Sequence, residues 1–259
     1  MRRQLRFLSK LPLLWRFLQL LCLSGVVNSW ELVILGAIVN RRINNGGSAA
    51  LTNCILLIER PPIIYRMLFP EGIWRVMRKG KGKTVYLTFD DGPVPTVTPW
   101  VLEMLDRYDI KATFFCVGEN VERYPWLFEE ILRRGHAVGN HTYNHLQGRK
   151  VSALTYCRNV MRAHKLIGSN LFRPPHGMLS WKQMRILHRH FNIIMYDLVT
   201  RDYSRKLNGE QVLANVKRYA RRGSIIVFHD SVKAEANMKY ALPRAIEWLK
   251  EKGYSFGTL

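Results

Sequence analysis

From residue 84 onward the chain repeats one rhythm: a short run of β-branched and aromatic residues, then an amphipathic segment at helical spacing. Strand candidates fall at 84–89, 111–117, 136–140, 170–173, 192–198, 224–229 and 254–258. Helix candidates lie between them at about 98–107, 120–134, 151–167, 180–190, 209–221 and 238–252. When each strand is followed by a helix, the helix carries the chain back and the next strand lies parallel to the last. The pattern therefore predicts an α/β protein, either a barrel or an open doubly wound sheet. In both, an active site belongs at the C-terminal ends of the strands.

The 259 residues suffice for one large α/β domain, since a barrel commonly takes about 250. With 47% hydrophobic residues the chain can bury a core. Residues 1–53 stand apart as a basic, apolar N-terminal extension. Within the largely apolar stretch 11–39, Arg16 and Glu31 leave only Phe17 to Trp30 free of charge between them, which is too short to span a bilayer comfortably. Val27-Asn28-Ser29 is a poor leader-cleavage site, and Leu21-Cys22 lacks the small residue of a lipobox. Two readings stay open: a signal anchor or interfacial helix that attaches the protein to the membrane surface of the cell envelope, or a start codon placed too far upstream. A cytoplasmic location is compatible with the second. Asn40 to Asn53 is polar and glycine-bearing, as a linker is, so a boundary is expected near residue 54. Residues 54–83 then form a lead-in segment, and residues 84–259 the main domain.

The net charge is +21, of which residues 1–80 contribute +9 through 12 Lys/Arg against Glu31, Glu59 and Glu71. Such a charge attracts any polyanion, including nucleic acid, anionic lipid and acidic glycan. No zinc-finger, RNP-like or bZIP pattern accompanies it, so no specific nucleic-acid partner is expected. Cys22, Cys54, Cys116 and Cys157 form no CxxC pair, which argues against a disulfide framework and a thiolate metal site. Cys116 lies in an apolar run and reads as a small buried hydrophobe.

The first strand ends Leu87-Thr88-Phe89-Asp90-Asp91-Gly92-Pro93, with adjacent carboxylates where the strand opens into a turn. A plain turn would explain Asp-Gly-Pro equally well. The third strand runs into His141-Thr142-Tyr143-Asn144-His145. One helical turn would put both imidazoles on one face, within reach of one ion. Two imidazoles and a carboxylate suit a catalytic zinc or similar divalent ion with open positions. His136, earlier in the same strand, reads as structural. The fourth strand ends Phe172-Arg173-Pro174-Pro175-His176-Gly177, a stiffened loop able to aim a backbone N–H at an oxyanion. The sixth delivers His229 and Asp230 at the end of an apolar run, on the same rim.

TFDDGP, HTxxH, RPPHG and VFHD, in that order on successive strand ends, resemble the polysaccharide deacetylases of the NodB-homology type, carbohydrate esterase family 4. The likeness extends over about residues 84–259, including the closing ALPRAIEWLKEKGYSFGTL. It implies an irregular (β/α)7 TIM-like barrel. Asp91, His141 and His145 would bind one divalent ion, with zinc the first choice and cobalt, nickel or manganese as alternatives. Asp90 would be the general base and His229 the general acid. Arg173, Pro175, His176 and Gly177 would form the substrate and oxyanion loop, with the His176 N–H as donor and Asp202 and Tyr203 in support. The implied reaction is N-deacetylation of an amino-sugar polymer of the cell envelope, such as peptidoglycan. An O-acetyl esterase and a non-catalytic glycan-binding barrel are the alternatives.

Two departures stand out. Val199 replaces the first of two aspartates the family usually has, so Arg173 needs another partner, with Asp202 or Asp197 as candidates. His176 stands where many members carry tyrosine, which keeps the backbone donor and changes the side-chain wall of the sugar site.

Overall fold

The computed structural model describes residues 59–77 and 82–259. The extension 1–53 and the boundary near residue 54 lie outside the described residues. Eight helices, α1 (Ile63–Leu68), α2 (Thr98–Arg107), α3 (Gly118–Arg123), α4 (Pro125–Arg133), α5 (Ala153–Ile167), α6 (Trp181–Leu187), α7 (Gly209–Tyr219) and α8 (Glu235–Glu251), alternate among the described residues with the strands of one sheet. The central strand is β1 (Lys83–Asp90), flanked by β2 (Thr113–Cys116) and β7 (Ile225–His229), with β8 (Tyr254–Phe256) beside its first half. β3 (Ala137–Asn140), β4 (Leu171–Phe172) and β5 (Asn192–Ile193) follow β2, and β6 (Leu198–Val199) follows β7. All of these pairings are parallel. The arrangement is the α/β half-barrel expected of an irregular (β/α)7 barrel.

Strand parity places the chemistry. Val85, Leu87 and Phe89 pack outward against the helix layer with Leu102, Val212 and Leu242. Tyr86 packs inward with Phe115, Ile194 and Ile225. With a period of two, Thr88 and Asp90 share the inward face with Tyr86. The register sets Asp90 beside Phe115 on one side and His229 on the other, and Asn140 beside both Cys116 and Phe172. The strand ends that carry the motifs therefore share one rim.

Helix ends follow local chemistry. The Ser152 hydroxyl accepts the Thr155 N–H to start α5, and Gly168, at φ 70°, ends it. Ser180 with Gln183 and Asn208 with Gln211 form capping boxes at α6 and α7. The helix expected over 120–134 is instead two, α3 and α4. Pro125 cannot donate within a helix and starts a new one, with Tyr124 at φ −130° between them.

The strand expected at 192–198 is also divided. β5 pairs with β4 and β6 pairs with β7, and the chain between them bridges at Ile194 to Ile73 instead, while Arg75 bridges to Ser224 ahead of β7. Ile73 donates to Ile193 O at 2.8 Å and accepts the Met195 N–H at 2.9 Å, while Val76 donates to Gly223 O at 3.0 Å. These bonds pair backbone groups that a gap between β5 and β6 would leave open. Phe69 and Trp74 are buried with Tyr156, Phe172 and Leu187. Arg66 reaches the buried Asp197 at 2.7 Å. Residues 59–77 are thus built into the same compact unit, 58–259, as the barrel. Among the described residues no helix is long and apolar enough to cross a membrane.

Cys116 is buried on the outer face of β2, as a small hydrophobe, and burial pushes its thiol pKa well up. His136, at the foot of β3, accepts the Ala112 N–H at 3.2 Å through Nδ1. Burial holds its pKa down at about 4, which fits a neutral structural ring.

Candidate active site

Asp90 is the last residue of β1 and is almost wholly buried. Its Oδ1 accepts from Arg173 Nη1 at 2.6 Å, and the same Nη1 reaches Thr88 Oγ1 at 2.7 Å. Arg173 Nη2 donates to Met195 O at 3.2 Å, and the guanidinium lies 4.0 Å over the Phe115 ring. Arg173 therefore pairs with neither Asp202 nor Asp197, as the sequence reading had it, but with Asp90 itself. Inward parity on β1 brings Thr88 and Asp90 to the same guanidinium. Nor does Arg173 face substrate, since it is buried beneath the base. Its Nε has no hydrogen-bond partner. Asp197 is taken by Arg66, Arg221 and Ser224.

Asp91 turns away from the strand at φ 83°. Its Oδ1 lies 3.2 Å from His145 Nε2 and 3.7 Å from His141 Nε2, yet is buried without a hydrogen-bond partner. One donor atom from each of Asp91, His141 and His145 falls within 4.8 Å of the others. His141 Nδ1 lies 2.8 Å from Arg173 O. A carbonyl can only accept, so Nδ1 carries the hydrogen and the Nε2 lone pair faces Asp91. Burial, only partly opposed by Asp90, holds the His141 pKa down at about 4, so the ring is neutral and able to ligate. Burial opposes ionisation of Asp91 too, but His145, then His229 and His141, outweigh it and hold the carboxyl well below the usual carboxylate range. The orphaned carboxylate oxygen and the two converging imidazole nitrogens fit a divalent cation.

The two histidines do not converge as one helical turn. Residues 141–147 are irregular, and Thr142 and His145 stand at φ 67° and 53°. Asp91, Thr142, His145, His176 and Arg201 account for five of the six non-glycine positive φ values among the described residues. All five lie in loops following strands on this rim, and such strain gathers where a site over-determines the backbone.

His229 ends β7 beside Asp90. Asp202 accepts from its Nδ1 at 2.8 Å and from its backbone N–H at 2.7 Å, and Tyr203 packs edge-on against its ring. Burial acts to lower the His229 pKa, and the Asp202 carboxylate more than reverses this, carrying it up to about 9. Asp202 and Tyr203 thus support the histidine. His176, at φ 60°, stands exposed with its ring edge-on to His145. Pro175 is buried, and Gly177 gives its carbonyl to Tyr65 Oη at 2.9 Å and its N–H to Pro174 O. The His176 N–H appears in none of the described backbone hydrogen bonds.

Sequence reasoning missed Asp230 and Asn120. Buried Asp230 accepts from Gly92 N at 3.0 Å and Thr98 Oγ1 at 2.6 Å, and burial pushes its pKa up to about 8. A Cβ on Gly92 would lie 1.9 Å from its Oδ2, so only glycine fits this turn. Asn120 donates to Asp91 O at 2.8 Å. Both hold the turn that aims Asp91. Asp230 stood inside the VFHD motif, but no sequence signal marked what it touches.

The profile of the family described as polysaccharide deacetylase matches residues 77–190. A peptidoglycan-N-acetylglucosamine deacetylase of Bacillus cereus is 32% identical over 207 residues, spanning 76% of this chain and 96% of the relative. The chain belongs to the polysaccharide deacetylase family. It is accordingly a hydrolase of carbohydrate esterase family 4 that acts on the amide bonds of N-acetyl sugars, and a divalent metal accords with both the family and the Asp-His-His cluster. The crystal structure of the Bc1960 peptidoglycan N-acetylglucosamine deacetylase superposes with a TM-score of 0.69 at 30% identity, covering 76% of this chain and 94% of that one. A family 4 pseudoenzyme from Bacillus anthracis shares the fold, with a TM-score of 0.65 and 27% identity over 73% of this chain and 67% of its own. Within this deacetylase family the residues of the rim, rather than the barrel, carry the argument for activity.

Proposed function

We propose that the protein removes N-acetyl groups from amino sugars of a cell-envelope polysaccharide such as peptidoglycan, with one zinc ion held by Asp91, His141 and His145. The observation that carries this reading is the buried, unpartnered Asp91 Oδ1 facing the Nε2 atoms of two imidazoles, with a buried carboxylate and a protonated imidazole on adjacent strand ends. A bound zinc ion would polarise the acetamide carbonyl and favour ionisation of the attacking water.

Arg173 occupies Asp90 Oδ1 and leaves Oδ2 turned to the site, 4.0 Å from His141 Nε2. Asp90 Oδ2 takes the proton of the water as it attacks. His229, its Nδ1 given to Asp202, presents Nε2–H to the sugar nitrogen, a poor leaving group until protonated. The uncommitted His176 N–H is the donor for the tetrahedral oxyanion. The basic, apolar composition of residues 1–53 supports attachment to the membrane surface of the envelope.

The test is acetate release from a panel of acetylated glycans, with free amine measured in parallel. Acetate with equimolar amine supports N-deacetylation. Acetate without amine marks an O-acetyl esterase, and glycan binding without acetate marks a non-catalytic barrel.

A further inference from the structure

Between Glu130 and Asp197 lie 66 consecutive residues with no acid and eleven Lys/Arg. Arg173 is buried on Asp90, but most of the rest are exposed on or beside α5 and α6, which pack against each other. Arg158, Lys165, Lys182, Arg185 and Arg189 have no ionic partner among the described residues. Arg162 leans on the Tyr143 ring and lies 3.7 Å from Glu122.

Apolar side chains stand among these cations. Leu154 is 59% exposed, Met161 43% and Trp181 52%, with Leu166 and Ile186 also exposed. Five of the eleven large exposed apolar side chains among the described residues thus fall on these two helices. Leu154, Arg158, Met161 and Lys165 recur at helical spacing, so apolar and cationic groups share one stripe of α5. Cys157 and Arg162 join them around a shallow groove.

An ordinary solvated face mixes charges of both signs. A face of cations and exposed apolar groups, with no acid, matches the boundary of an anionic bilayer. There the apolar side chains enter the acyl edge while Lys and Arg stay at the headgroups. A second copy of this face would be repelled by like charge. So would residues 1–53, which carry seven Lys/Arg against Glu31. A soluble polyanion would satisfy the cations and leave Leu154 and Met161 in water.

We propose that the α5–α6 face docks this domain on a lipid surface bearing anionic headgroups. The proposed contact uses the helix layer and does not depend on the deacetylase reading.

The experiment is sedimentation of the full chain with vesicles of phosphatidylcholine alone or mixed with phosphatidylglycerol, at low and high salt. Binding is expected to the mixed vesicles, weakened by salt. R158Q/K165Q/R185Q/R189Q should weaken it by about fivefold per charge removed. L154S/M161S should weaken vesicle binding roughly tenfold while leaving binding to polyglutamate unchanged. Both variants should hydrolyse a soluble N-acetylated oligomer at the parent rate, or, failing any such activity, melt at the parent temperature, which shows that the barrel is intact. Parent-level vesicle binding by the four-charge variant overturns the proposal and assigns attachment to another segment. Unchanged vesicle binding by L154S/M161S overturns it in favour of a polyanion surface. A dimer in solution that L154S/M161S dissociates overturns it in favour of self-association.

Discussion

Asp202→Asn probes the acid assignment of His229 while leaving every reacting group in place. Asp202 holds both Nδ1 and the backbone N–H of His229, and its charge, acting against burial, carries the imidazole up to about 9. Because that value lies above the ordinary histidine pKa of about 6.5, the protonated ring is present at neutral pH and is lost only as the pH rises through 9. Asparagine keeps the acceptor for Nδ1–H but removes the charge and the second oxygen, which takes the backbone N–H. Burial then outweighs the remaining pull of Asp91 and Asp90, and the pKa falls back to the ordinary value of about 6.5. At pH 8 about 90% of parent rings would carry the proton, against roughly 3% in the variant, so kcat/KM should fall roughly thirtyfold there and recover towards the parent value at about pH 6. The assay is the pH dependence of kcat/KM on a soluble N-acetylated oligomer. A uniform loss at every pH, with the alkaline limb still near 9, refutes the reasoning, because then Asp202 does not set the protonation of the acid.

Chelation should abolish activity and zinc or cobalt should restore it. In calorimetry, metal at about a thousand times its Kd should stabilise the parent by about 4 kcal/mol and His141→Ala far less; equal shifts would remove His141 from the ligand set. Asp90→Asn, which keeps an acceptor for Arg173, should bind metal but lose about 10²–10⁴-fold in rate, and His229→Ala should lose a similar factor and flatten the alkaline limb. A parent-like rate in either variant dismisses that group from proton transfer. A chain beginning at residue 54 should fold and turn over substrate, whereas one beginning at residue 78 loses the buried Phe69 and Trp74 side chains, worth about 4 kcal/mol or more together. Comparable melting temperatures for the two chains would show that the 59–77 segment is dispensable to the barrel.

The alternation of apolar runs with amphipathic segments was enough to predict a parallel α/β sheet with its chemistry at the strand ends, because strand and helix periods are local properties. The order of the motifs likewise put Asp90, Asp91, His141, His145 and His229 on one rim, whereas the inward turn of Asp90 came from the packing of Tyr86 against its own side of the sheet. Partnership was not legible. The sequence offered Asp202 and Asp197 to Arg173, and it meets Asp90 instead across the inner face of the sheet, although β2 and β3 lie between their strands, while Asp197 is drawn off by arginines distant in the chain. The convergence of His141 with His145 depends on positive φ values that no residue type there announces. Asp230 matters through its approach to Gly92 across 138 positions of sequence. Residues 73–76 complete the sheet only because β5 and β6 diverge and leave backbone groups to pair. Local patterns are written residue by residue, whereas contacts between distant residues arise when packing fixes which surfaces meet, and only the tertiary structure sets those distances.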